Sequence, residues 1–338
     1  MPTPRTPCNV CPGLTALALV AALGTPSVLW GQQDDPPGPV DPAVLGAWEQ
    51  VEPVAEPRVR IEITPDFYAR VEGEKLAYRS PILGQREDGT LVVSLFCNRI
   101  DHRVEIDGDS LTLTFTHAKT KFRPEPETER VTYRRLAERP AELDLRPMDL
   151  GDGTRPLGDE RVAALRSELI ERGERDQEIR RAFQKPDAVS EEIQEQMKVI
   201  DADNVAFLVE LLAEVGWIDP GRFGSEASRA AWLIVQHSGD LALMSAVLPA
   251  LEAAVRVSGE GGSNFALLWD RSRIWLGHKQ RYGSQVFFGP EGAFIAPLED
   301  PETVDQRRAE LGLDPLDDYR AFFVERNDGK PLPIRTEF

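Results

Sequence analysis

The side chains best suited to chemistry lie between Trp269 and Gln285, where carboxylate, guanidinium, amide and phenol groups alternate with aromatics and glycines. Asp270 and Arg271 fall mid-helix between Trp269 and Trp275, so at least one must turn toward apolar neighbours and find a partner there. Gln280, Tyr282 and Gln285 follow, and amides and a phenol orient a polar ligand better than they serve as nucleophile and base at ordinary pKa. Upstream, His237 lies three, four and seven residues from Ile234, Leu233 and Ala230, which puts an imidazole at the edge of an apolar helix face. It reads either as a core histidine satisfied by one hydrogen bond or as a general base. Asp270 and Arg271 read either as internal ion-pair partners or as parts of a site.

These six groups are expected to converge on one cleft, because separately each would need its own buried partner. There Arg271 and Gln285 would fix a polar ligand, Tyr282 would form a wall and His237 would exchange a proton if chemistry occurs. The leading expectation is non-catalytic ligand binding or protein interaction through this polar cleft. The alternative is a hydrolase-type enzyme with His237 as general base oriented by Asp270. Asp300, Asp305, Arg307 and Arg308 suggest an ion site, but Asp300 also reads as a helix N-cap and Asp305 as a partner of Arg308 three residues on. After residue 31 there is no phosphate-binding glycine loop, no H-E-x-x-H, no G-x-S-x-G and no paired cysteine motif, so no metal and no cofactor are expected.

In chain order, Gly216-Trp217, Ala230 to Leu233 with Gln236-His237, Asp270-Arg271, the Gln280 to Gln285 segment, and Val304-Asp305 with Arg307-Arg308 and Leu311-Gly312-Leu313 form a series. It resembles an uncharacterised bacterial domain-of-unknown-function family over roughly residues 200–320. That family has no reaction to lend.

The elements that must position these groups are helical. Asp159 to Gln184 carries a thin apolar stripe, Val162, Leu165 and Leu169, then Ile179 and Phe183, with its charges read as solvated faces. Lys185-Pro186 interrupts it, and Ser190 begins a helix to Ile200. Asp203 is expected to cap another that stops at Gly216, Ser225 to cap 226–238, and Asp240 to begin a helix running toward Val257 and kinked at Pro249. A helix over 263–276 leads into a hairpin with arms 280–288 and 292–297, and Asp300-Pro301 and Asp314-Pro315 read as helix starts.

Residues 44–136 read differently. Short runs alternate with period two between turn signals, among them Val59-Ile61-Ile63, Leu91-Val93-Leu95 and Leu111-Leu113-Phe115, with Asp107-Gly108-Asp109 as a hairpin signal. Gly46-Ala47-Trp48 resembles the G-x-W that opens lipocalin-like domains, which implies an antiparallel barrel. An apolar ligand in the mouth and an interior filled by side chains both remain open. His102 and His117 lack a second ligand type at metal spacing and read as rim histidines. The fold class is therefore α+β, a lipocalin-like β-barrel module (44–136), a linker (137–158) rich in Pro and Gly, and a mainly α-helical module with one β-hairpin (159–338).

Residues 1–31 have the layout of a secretory signal, with Arg5, the apolar run Leu14 to Leu23 and small residues before Gln32, followed by a flexible leader over 32–43. The run is about half the ~20 residues that span a bilayer, so cleavage and export to the periplasm or extracellular space are expected, with no stable membrane insertion. Cys8 and Cys11 would leave with the signal, and the remaining Cys97 reads as a small buried hydrophobe. The net charge is −18 over 338 residues, and loss of residues 1–31, whose one charge is Arg5, leaves −19. Such a surface repels phosphate backbones and anionic lipid, which leaves a small polar ligand or a protein as partner and argues against nucleic acid.

Overall fold

The computed structural model describes residues 37–117, 127–183, 191–289, 292–324, 329 and 331–338. The signal, Cys8, Cys11 and residues 32–36 of the leader lie outside the described residues, as do Ser190 and the side chain of His117. Eight strands, β1 (Gly46–Glu52), β2 (Val59–Ile63), β3 (Phe67–Glu72), β4 (Lys75–Gln85), β5 (Leu91–Leu95), β6 (Asn98–Asp107), β7 (Ser110–His117) and β8 (Glu127–Arg135), close an antiparallel barrel in sequence order. The period-two alternation sends Trp48, Ile61, Ile63, Leu91, Val93, Leu111, Leu113, Val131 and Tyr133 into one buried cluster. Side chains thus pack its interior, and the Trp48 indole donates to Val44 O (3.1 Å) beneath the Arg135 guanidinium.

The helical module contains α1 (Asp159–Phe183), α2 (Glu191–Val215), α3 (Pro220–Phe223), α4 (Ser225–His237), α5 (Leu241–Ser258) and α6 (Gly262–Trp275). A hairpin of β9 (Val286–Gly289) and β10 (Gly292–Ile295), then α7 (Val304–Glu310) and α8 (Leu316–Ala321), complete it. Five local expectations are corrected. α2 runs unbroken through Asp203, because nothing between Ile200 and Asn204 breaks a helix and Asp203 accepts from Arg172 and Arg175 (both 2.8 Å) instead of capping. Ser225 is the first residue of α4 and Gly224, with φ 82°, precedes it. Asp300 makes no side-chain cap, and Asp305 accepts from Leu316 N–H (2.7 Å) while Arg308 donates to the Asp314 and Tyr282 carbonyls. Gln280 to Gln285 is a tight loop and not a strand arm, since its polar groups turn inward. The helix expected from Asp240 is present as α5, and Asp240 caps it, accepting from Ala242 and Leu243 N–H (3.0 and 3.1 Å).

The two modules share a core. Outward-facing Ala69 and Val71 of β3 and Leu76 of β4 pack with Leu241, Ile274, Trp275, Phe287 and Phe294 of the helical module. β3 is consequently covered on both faces. The β5–β6 connection is a two-residue turn, Phe96-Cys97, with φ 47° and 63°. Left-handed residues there usually call for Asn or Gly, and the turn is held because Phe96 lies 5.4 Å from the Trp275 ring and Cys97 is buried in the shared core. Burial pushes the Cys97 thiol far up, in line with a packing role. Lys75 also pairs with Asp240 across the junction (2.6 Å). The connecting segment 137–158 lies against both bodies: Leu143 is buried and accepts from Arg79 (2.7 Å), and Gly151 donates to Leu212 O (2.8 Å). Trp275→Ala should lower unfolding stability by about 3–5 kcal/mol in urea titration. A loss under ~1 kcal/mol would show that the shared core does not hold the modules together.

Candidate functional site

Asp270 is fully buried on α6 and accepts from the backbone N–H groups of Arg281 (2.6 Å), Tyr282 (3.1 Å) and Ser284 (2.9 Å) and from Ser284 Oγ (2.8 Å). Burial raises its pKa and these donors oppose the rise. Gln280 closes the other side of the loop, its Oε1 accepting from Gln285 N–H (2.9 Å) and its Nε2 donating to Ala296 O (2.8 Å). Gly283 sits at φ 71°, where a Cβ would come within 2.7 Å of Leu316 Cδ1, so the loop needs glycine there. Tyr282 meets the Phe265 ring edge-on, and its carbonyl accepts from Arg308 Nη1 (2.7 Å). Asp270 and Gln280 therefore have their polar atoms engaged in shaping this loop.

Arg271, one residue along α6, faces the opposite way. Its Nη1 donates to Gln236 O (2.6 Å) at the end of α4 and its Nε lies 3.5 Å from Gln285 Oε1. Arg271 thereby joins the loop to the Gln236-His237 pair. Asp270, expected under the enzymatic alternative to orient His237, holds the loop instead. The carboxylate hydrogen-bonded to His237 is Asp176 on α1, with both oxygens within 3.0 Å of Nδ1.

Asp176 reaches His237 because α1 and α4 approach closely at Gly173, where a Cβ would stand 2.7 Å from that of Ala230. Arg180, one turn further along α1, places Nε 2.8 Å from His237 Nδ1 and Nη2 3.1 Å from Asp176 and 2.6 Å from Asp201 on α2. Nδ1 cannot both accept from Arg180 and donate to Asp176. Two carboxylate oxygens facing it decide for Nδ1–H, which leaves a lone pair on Nε2. Burial and the Arg180 charge bring the His237 pKa down to about 4 against the pull of Asp176, so the ring is neutral at neutral pH. Burial opposes ionisation of Asp176, but the His237 hydrogen bond and the Arg180 charge outweigh it and hold the carboxyl low. Burial raises Asp201 to about 6 despite Arg180, and burial together with Arg180 lowers Arg271 to about 10.

Among the described residues, four buried atoms of Arg180, Gln236 and His237 have no hydrogen-bond partner: Arg180 Nη1, Gln236 Nε2, Gln236 Oε1 and His237 Nε2. Of the residues singled out from sequence, Arg271 links Gln285 to the Gln236 carbonyl next to His237, whose own bonds go to Asp176 and Arg180, whereas Asp270, Gln280 and Tyr282 shape the supporting loop. Asp176, Arg180 and Asp201 escape a reading that treats their helices as solvated. A signal was present, since Leu165, Leu169, Asp176 and Arg180 recur at helical spacing on one stripe of α1.

Fold and site together define a two-module α+β protein, a closed eight-stranded barrel docked on a helical module with a buried polar centre. The C-terminal half, residues 163–330, matches the model of a family described as of unknown function, DUF6624. That match contains the whole polar centre and the loop around Asp270 and excludes the barrel. Neither the comparison with curated proteins nor that with solved structures returned a match.

The two perturbed groups act on stability with opposite sign. Asp201 keeps its proton in the fold up to pH about 6, so its contribution is full in acid and lost as pH rises toward 6. His237 stays neutral in the fold down to pH about 4, so its contribution is full near neutrality and lost as pH falls through that value. Relative to wild type, Asp201→Asn should therefore gain stability as pH rises from about 4 to 6, and His237→Gln should lose it over the same range. Urea midpoints measured across these pH values check both slopes, and parallel curves for all three proteins would rule out the assigned shifts.

Proposed function

We propose that this is an exported, non-catalytic binding protein whose helical module takes a small polar ligand at the Arg180–Gln236–His237 centre. The observation that carries the reading is the set of four unpartnered polar atoms on these three buried side chains. Leaving such groups unsatisfied costs about 1–3 kcal/mol each, so a native centre that retains them is suited to an occupant that completes them. The absence of a recognisable nucleophile motif and the structural engagement of Asp270 favour binding over turnover. Export rests on the charge, apolar run and small residues within 1–31.

The acidic surface disfavours nucleic acid and anionic membranes as partners. α5 is long and apolar enough by composition to cross a bilayer. It also buries Leu241, Leu243, Met244, Val247, Leu251 and Val255 in the protein, which favours a core helix. An enzymatic second reading draws on the Asp176–His237 pair, which leaves Nε2 free to accept a proton.

Thermal-shift screening of small polar metabolites, alongside a hydrolase substrate panel, tests both readings. The expected result is a ligand that stabilises wild type and not Gln236→Leu, with no turnover. Turnover abolished in both His237→Ala and Asp176→Asn would instead establish the enzyme. Mass spectrometry of the native secreted protein should find its N-terminus near Gln32, and an intact Met1–Leu23 segment would refute export.

A further inference from the structure

We infer that a separate cavity, walled by Lys279, the 298–301 segment and the 334–335 stretch, binds a zwitterion with an aliphatic body, an aliphatic amino acid being the simplest such molecule. This goes beyond the binding reading above and uses no residue of the Arg180–Gln236–His237 centre. The cavity measures about 590 Å³ and carries Lys279, Glu299, Asp300 and Arg335 on its walls, with Leu298, Pro301 and Ile334 supplying hydrocarbon surface. That size lies within the range of small-molecule pockets.

Backbone bonds fix these walls. Gln280 N–H donates to Pro297 O (2.9 Å) and Glu299 N–H to Gln280 O (2.8 Å), so Lys279 and Asp300 sit on two segments bonded side by side. Ile295 N–H donates to Pro333 O (2.8 Å) and Arg335 N–H to Ile295 O (3.0 Å), which lays the third wall along β10. Asp300 has φ 41°, a left-handed conformation that Asp and Asn tolerate better than most residues. Its carbonyl accepts from Thr303 N–H (3.1 Å) and Arg307 Nη2 (3.2 Å). The turn is thus held through the main chain, while the carboxylate makes no helix cap and stays on the cavity wall.

The four wall charges differ in what already meets them. Glu299 pairs with Arg273 (3.4 Å), and Arg335 donates to Cys97 O (2.5 Å) with its guanidinium 3.5 Å from the centre of the Phe294 ring. Lys279 and Asp300, both exposed, make no side-chain hydrogen bond or ion pair among the described residues. One unmatched cation and one unmatched anion therefore border a single space with an aliphatic remainder. A carboxylate alone would meet Lys279 but bring its charge beside Asp300 and Glu299. An amine alone would meet Asp300 but lie beside Lys279 and Arg335. A zwitterion sets each charge against its opposite, and its hydrocarbon body covers Leu298, Pro301 and Ile334. Because exposed ion pairs are weak in water, the preference is several-fold and not orders of magnitude.

Leucine, 4-methylpentanoate and 3-methylbutylamine share one hydrocarbon body and differ in charge. Each is titrated into the full chain and followed through the ¹³C methyl resonances of Leu298 and Ile334. Leucine should shift both sets and bind about threefold or more tightly than either single-charge analogue. Lys279→Met should abolish the advantage of leucine over 3-methylbutylamine, and Asp300→Asn its advantage over 4-methylpentanoate. Both variants should keep the wild-type urea midpoint, since neither side chain is bonded within the described protein and Asn suits the left-handed turn as Asp does. Either analogue binding as tightly as leucine would overturn the zwitterion class, as would a preference that survives in both variants. No methyl response to any of the three would overturn the site itself.

Discussion

A carboxylate removed from water must be surrounded by donors, and much of the helical module is arranged around that requirement at Asp270. Its oxygens gather three backbone N–H groups and one hydroxyl from the 281–284 segment. Such charge-assisted bonds are stronger than neutral ones and leave the loop little freedom. Gln280 completes the closure from inside the loop, and Arg308 and Tyr319 fasten its carbonyls from α7 and α8. The side chains that looked most reactive in the sequence are thus the ones that give the loop its shape.

α6 distributes this order to the rest of the molecule. Asp270 faces the loop, Arg271 faces α4 and the Gln236-His237 pair, and Trp275, four residues further on, receives the barrel through Phe96. The barrel and the polar centre consequently meet the same helix one turn apart.

The polar centre follows a different rule. In a low-dielectric interior a histidine remains neutral, a carboxyl rises and a guanidinium near a second cation loses affinity for its proton, as His237, Asp201 and Arg271 do here. Interiors that retain such groups do so where hydrogen bonds complete them. Asp176 is completed by His237 and Arg180, whereas one end of Arg180, the far nitrogen of His237 and the Gln236 amide remain open. The contrast with the saturated Asp270 is what separates a scaffold from a site in this protein.

The α+β class, the strands of the barrel and the helices that bear the candidate residues were legible because binary patterns at periods of 2 and 3.6 depend on local geometry alone. The Gly108 turn and the start of a helix at Asp240 were equally local matters. What the chain order could not reveal is which buried polar group faces which, because a residue on a helix has several possible neighbours and the docking angle selects among them. Asp176 became the partner of His237 only when Gly173 let α1 close onto α4, and Asp270 turned to the loop only when the loop had folded back on α6. The left-handed Phe96-Cys97 turn was unreadable for the same reason, since neither residue prefers that conformation and packing against the helical module holds it there. Local pattern thus determined the elements and their faces, whereas the pairing of buried charges, a property of distances between elements far apart in sequence, was decided by the tertiary fold.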